Sequence, residues 1–208
     1  MSREIRLYIE GGGDGEKTKR RLRTAFGVFL SSLRARAQEK RVHWNPVVCG
    51  GRGATYDAYK TALKSHPEAF NVLLVDAEGP VTADSPWQHL RSRQGDQWAN
   101  PGVQDKHCHL MVQAMEAWFL ADREQLGEYY GRGFNANALP KNKNVEGIDK
   151  QRVLQSLDNA TRATQKGPYH KTHHAPEILE KIRPELVCSA ARFCKRLFDT
   201  LRSEVDGA

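Results

Sequence analysis

The sequence predicts an α/β protein: a mainly parallel sheet flanked by helices, with a helical element at the C-terminal end. Two patterns carry that expectation. Short apolar runs at 3–10, 42–49, 71–76 and 109–113 alternate with stretches of helical periodicity, as successive strand-helix units do. The run at 71–76 is apolar without alternation and ends in acid, which marks a strand covered on both faces in a parallel sheet.

Taken in order, residues 3–10 read as a strand, the glycines of 11–15 as a tight turn, and 16–40 as one long helix with Leu22, Phe26, Phe29, Leu30 and Leu33 at helical spacing. A second strand over 42–49 leads through Gly50-Gly51-Arg52-Gly53 into a helix over 55–64, packed through Tyr56, Tyr59, Ala62 and Leu63. After the central strand, 78–106 is rich in Gly, Pro, Ser, Asp and Gln and predicts an irregular excursion. Its Trp87 and Trp98 are candidates for stacking or partner contact. A strand at 109–113 then precedes a helix over 114–126, where Trp118 and Phe119 are core residues. The domain reading is an α/β core over 1–128, a linker or loop over 129–148, and helices at 149–163, 175–182 and 188–203 packed on the core as a C-terminal element spanning 149–208.

A chain of 208 residues with 39% hydrophobic and 27% charged residues is long enough for a substantial core. No stretch approaches the ~20 apolar residues of a membrane span, so no membrane role is expected. The N-terminus has no charged-then-apolar leader, which makes the cytoplasm the expected location. Cys49, Cys108, Cys188 and Cys194 are too scattered for a disulfide framework and read as free thiols. Cys188 and Cys194, six apart on one predicted helix, fall on different faces, and no Cys-x-x-Cys spacing supports zinc. His170, His173 and His174 contact phosphate or cap the helix over 175–182.

The net charge of +7 is localised: nine basic residues against Glu16 and Glu39 between 16 and 41 carry the whole excess. Such a stripe is the electrostatic footprint of a polyanion partner, or else a solvated helix face. Gly11, Gly12, Lys17, Lys19, Arg20 and Arg52 are the candidate phosphate and nucleic-acid contacts. The turn from Gly11 to Thr18 superficially follows a P-loop, but Glu16 stands where that pattern needs glycine, and a carboxylate there would face the phosphates.

Four carboxylates occupy comparable positions at or after strand ends: Glu10, Asp76, Glu78 and Glu116. In a parallel sheet the C-terminal strand ends share one edge, and ligands bind outside it. Gathered acids repel one another unless a divalent cation opposes them, and Mg²⁺ (or Mn²⁺) takes such oxygen ligands while joining them to substrate phosphates.

Ile9-Glu10-Gly11-Gly12 and Val75-Asp76-Ala77-Glu78 resemble the Toprim domain of topoisomerases, primases and OLD-type nucleases. More closely, residues 75–80, the run Gln113-Ala114-Met115-Glu116-Ala117-Trp118-Phe119-Leu120-Ala121-Asp122, and Tyr169-His170-Lys171-Thr172 resemble DUF4276, a bacterial family of Toprim-like, hence Rossmann-like, proteins of unknown function. The resemblance implies that Glu10 is a metal ligand or general acid/base and that Asp76 and Glu78 hold Mg²⁺. Glu78 stands where the Toprim pattern has Asp, one methylene longer. It further implies Glu116 and Lys171 as the later acid and the lysine that nuclease-type relatives add. The expected activity is Mg²⁺-dependent hydrolysis of DNA or RNA, in an antiphage defence or repair system and paired with an ATPase. The alternatives are a non-catalytic module docking that ATPase, and an enzyme of nucleotide phosphotransfer or phosphate-ester hydrolysis. A homo-oligomer stays open.

Overall fold

The computed structural model describes residues 4–207. Expectations placed on residues 1–3, namely the first residue of the opening strand and the missing leader, lie outside the described residues, as does Ala208. The four strands are β1 (Glu4–Glu10), β2 (His43–Gly50), β3 (Phe70–Asp76) and β4 (Cys108–Met111), all parallel, in the order β2-β1-β3-β4. This is a Rossmann-like α/β arrangement. The chain steps one way from β1 to β2 and the other way to β3 and β4, so strand order reverses between β1 and β3. Glu10 and Asp76, the last residues of those two strands, therefore stand side by side at the reversal, where open α/β sheets form a crevice.

Strand period divides the core in two. Ile5, Leu7 and Ile9 of β1, with Phe70, Val72 and Leu74 of β3, join the larger cluster on one face. Tyr8, Leu73 and Val75 point into the smaller cluster on the other. The larger face is covered by α1 (Glu16–Phe29), α2 (Ser31–Glu39) and α10 (Arg192–Asp206), with Phe29 stacked on Trp118 at 5.4 Å and edge-on to Phe198. The smaller face is covered by α3 (Arg52–Ser65) and α4 (Pro86–Ser92).

Several elements differ from expectation. The helix over 16–40 breaks at Leu30, which leaves helical geometry at φ −98°, ψ 18° while its own side chain stays buried. The excursion over 78–106 is partly ordered: Ser85 accepts a bond from the Trp87 amide and Pro86 opens α4. Trp87 is consequently buried beside Tyr59 and is no partner contact, and Trp98 stacks on Tyr56 at 4.2 Å. The helix over 114–126 is two, α5 (Glu116–Phe119) and α6 (Arg123–Tyr130), because Asp122 accepts from the Gln125 amide and restarts the chain. Trp118 and Phe119 are fully buried, as expected.

Residues 131–149 carry two short 3₁₀ turns, and Leu139, Val145 and Ile148 are buried among them. Then come α7 (Lys150–Thr161), α8 (Lys171–Leu179) and α9 (Pro184–Ala190). The segment around 175–182 begins earlier than predicted, at Lys171, with Pro176 inside the helix and not at its start. The predicted helix over 188–203 is likewise divided. Ala191 is extended between α9 and α10, and this corner brings the Cys188 and Cys194 sulfurs to 4.0 Å, not to different faces. All four cysteines are free. Among the described residues no helix is long and apolar enough to cross a membrane.

Candidate metal centre

Glu10, Asp76 and Glu78 form a compact triad in which one carboxylate oxygen from each lies within 4.8 Å of the other two. Backbone geometry fixes each. The Asp76 amide donates to Glu10 Oε2 at 3.0 Å, tying the β1 carboxylate to the end of β3. Asp76 Oδ1 accepts from the Met115 amide at 2.9 Å. Glu78 takes φ +63°, uncommon for a residue with a side chain, and its amide donates to the Gln113 carbonyl at 2.7 Å.

Three cations surround the triad. Arg52, at the start of α3, donates from Nη1 to Glu10 Oε2 at 3.0 Å and to the Asp76 carbonyl. Its other edge grips Asp96 through Nε and Nη2, both at 2.6 Å, while the guanidinium lies 4.9 Å from the Trp98 ring centre. Lys150 Nζ sits 2.6 Å from Glu78 Oε1. Lys171 Nζ lies 3.5 Å from Asp76 Oδ2 and 3.3 Å from Glu116 Oε1. Glu116 thus meets the site through Lys171 and is not one of the three clustered acids. It is fully buried, with Oε1 accepting from the Tyr169 hydroxyl at 3.2 Å and Oε2 without a protein partner.

The electrostatics separate the triad. Burial raises Asp76 to about 7, Lys171 pulling down and Glu116 and Glu10 pushing up. Burial also raises Glu10, with Arg52 working against it. Burial is also the largest influence on Glu78, but the Lys150 hydrogen bond and the charges of Lys150, Arg52 and Arg93 together outweigh it and the net shift is downward. For Lys171, burial favours the neutral amine, yet Asp76 and Glu116 prevail and hold it charged. The raised pKa values of two buried acids mean that the protein's own cations do not fully stabilise their ionised forms. A divalent cation would stabilise them, and the all-oxygen donor set suits one.

Beside the triad lies a cavity of about 270 Å³. Glycines 11–13, 50 and 51 form one wall; Leu22, Met115, Ala175 and Pro176 give it an apolar floor; Thr18, Thr172 and Lys171 supply polar groups. Gly50 and Gly12 have no room for a side chain. Gly50 has φ +92°, and a Cβ on it would stand 2.7 Å from the Gly13 carbonyl; one on Gly12, at φ +80°, would meet the Lys19 backbone at 2.9 Å. The Thr18 hydroxyl is directed at the carbonyls of Gly12 and Gly15, so the turn uses internally the group a P-loop presents to its cation.

Of the candidate phosphate contacts, Gly11 and Gly12 line the cavity, and Arg52 is in the triad's own network. Lys17, Lys19 and Arg20 are on α1 and do not line it; Lys19 pairs with Glu16 at 2.5 Å, while Lys17 and Arg20 are exposed. Part of the basic stripe closes internal contacts, Arg21 with Glu177 and Arg36 with Asp206. His174 Nδ1 accepts from the His170 amide and faces the Tyr130 hydroxyl. Sequence reasoning missed Asp96, Lys150 and Tyr169 as site residues. Asp96 and Lys150 carried no local signal, whereas Tyr169 adjoined Lys171 in a motif already singled out.

Fold and site together define a Rossmann-like α/β protein with an acidic centre, able to hold a metal ion, at the reversal of its parallel sheet. A family model described as a domain of unknown function, DUF4276, matches residues 9–202, and the chain belongs to that family. No curated protein and no solved structure matches the chain.

Proposed function

We propose that the protein is a Mg²⁺- or Mn²⁺-dependent phosphodiesterase of Toprim-like type acting on DNA or RNA. The observation that carries this reading is the clustering of Glu10, Asp76 and Glu78 beside a glycine-walled cavity at the sheet reversal. Glu10, Asp76 and Glu78 would hold the cation, which would supply a water of lowered pKa and charge compensation for phosphate. The chain's own groups account for the rest. Glu10 Oε2 is engaged by the Asp76 amide and Arg52, which holds the side chain still, and burial raises its pKa, which favours a role in proton transfer. Lys171, half-exposed at the cavity and kept charged, faces a phosphate oxygen as negative charge builds on it. Gly11 and Gly12 let the substrate backbone approach closely, and the exposed Lys17 and Arg20 extend the contact along a polymer.

One observation favours a second reading, a non-catalytic module that docks an ATPase. Arg52, Lys150 and Lys171 already neutralise much of the acidic charge. Cleavage of plasmid DNA, single-stranded DNA and total tRNA with Mg²⁺, Mn²⁺ or EDTA separates the two. Metal-dependent cutting by the wild type, lost in Glu10→Ala and Asp76→Ala, is the expected result. A metal-induced rise in melting temperature, absent in Asp76→Ala, accompanies it. Neither cutting nor a melting shift transfers the assignment to the docking module, and turnover of nucleotides alone transfers it to a small phosphate-ester enzyme.

A further inference from the structure

The corner between α9 and α10 holds a thiol pair that the proposed reaction does not use. Cys188 and Cys194 come from two helices joined through the single extended residue Ala191, and their sulfurs lie 4.0 Å apart within hydrogen-bond reach. The two are not equivalent. Cys188 is half-buried and opens onto a groove of about 600 Å³ that it shares with Ser189, Lys195 and Arg202. Cys194 is fully buried behind it. The hydrogen bond with Cys194 lowers the Cys188 thiol below the usual range, with burial acting the other way. Burial keeps Cys194 protonated. An accessible thiol inclined to ionise, backed by a buried thiol in contact, is the arrangement a redox-reactive cysteine with a resolving partner requires.

We infer that Cys188 and Cys194 form a peroxide-reactive dithiol site that closes to an intramolecular disulfide. The Cys188 thiolate attacks one oxygen of a hydroperoxide, the O–O bond breaks, and the leaving oxygen departs as water or an alcohol after taking a proton. The Cys194 sulfur then attacks the resulting sulfenic acid, the S–OH bond breaks, and the Cys194 proton leaves with the hydroxyl as water. Two thiols lose two electrons, and the peroxide gains them. Closure draws the sulfurs from 4.0 Å to about 2.05 Å and pins α9 against the start of α10, a small movement at a joint of one extended residue. Cys49 and Cys108 have no such pairing: burial raises both their thiols, and Cys108 is fully enclosed.

Trypsin cleaves after Arg192 and so separates the two cysteines, which makes peptide mapping decisive. Treating the reduced full-length protein with hydrogen peroxide is expected to yield a cross-linked pair of peptides carrying Cys188 and Cys194, 2 Da lighter than their sum and reversed by dithiothreitol. In Cys194→Ser the intermediate stays open and dimedone labels Cys188, with about tenfold less label at Cys49 and Cys108. Cys188→Ser gives neither product. The wild-type map decides the matter even if the buried Cys194→Ser substitution prevents folding. A disulfide to Cys49 or to a second chain, sulfinic acid at Cys188 without the cross-link, or no reaction at Cys188 overturns the inference. None of these outcomes depends on whether the protein cleaves nucleic acid.

Discussion

Arg52 binds two acids at once, and its side chain is only 17% exposed while that of Asp96 is 2% exposed. Removing Arg52 takes the nearest cation from Glu10 and leaves the buried Asp96 side chain with Arg93 alone. Arg52→Ala is therefore expected to destabilise the fold by roughly 3–5 kcal/mol, measured by urea denaturation. Arg52→Lys recovers little, because an ammonium cannot reach Glu10, the Asp76 carbonyl and both Asp96 oxygens from one position. A double-mutant cycle with Asp96→Ala tests the pairing, and a coupling energy near zero would refute it. Glu10, Asp76 and Glu78 were legible in the sequence because a carboxylate after an apolar run marks a strand end. Asp96 was not, since its role depends on how an irregular 20-residue stretch returns to the sheet edge, which no periodicity encodes.

The glycine turns after β1 and β2 lean on each other: the Gly11 amide donates to the Gly50 carbonyl at 2.8 Å, and Gly50 closely faces Gly13. In Gly50→Ala the new methyl must displace the 11–13 turn, and the substituted residue is strained at positive φ. A loss of about 1–3 kcal/mol is expected, together with weaker Mn²⁺ binding by titration calorimetry. Gly53→Ala is the control, since its Cβ meets nothing within 4 Å and it lies in the first turn of α3. Equal effects of the two substitutions would remove the turn from the site. The strand-helix alternation was readable from apolar period alone. The helix breaks at Leu30 and Ala191 were not, because both residues are apolar and preserve the pattern while the backbone turns. The pairing of Cys188 with Cys194 was hidden for that reason.

The whole fold carries a pH dependence through His109, which lies on β4 beneath α10 and is wholly buried. Its Nδ1 faces the Arg196 guanidinium at 3.1 Å and its Nε2 the Lys106 carbonyl at 3.1 Å, so the ring is neutral with its proton on Nε2. Burial, with Arg196 adding to it, pushes the imidazole down to about 3. The unfolded chain takes up a proton near pH 6.5 and the folded chain does not, so this contribution is complete above 6.5 and lost as pH falls toward 3. The stability difference between wild type and His109→Gln should shrink by roughly 2 kcal/mol from pH 7.0 to pH 5.0 in urea denaturation. A constant difference would show that His109 titrates normally.

The acids of the centre are made well before two of the three cations that offset them. Arg52 lies 42 residues beyond Glu10, and Lys150 lies 72 beyond Glu78. A ribosome therefore delivers the whole acidic triad long before Lys150 and Lys171, and translation that stops after residue 148 releases a polypeptide whose cluster lacks both lysines. The part of that neutralisation supplied by α7 and α8 comes late, so an interrupted product carries the acids and Arg52 without the two lysines that complete their surroundings.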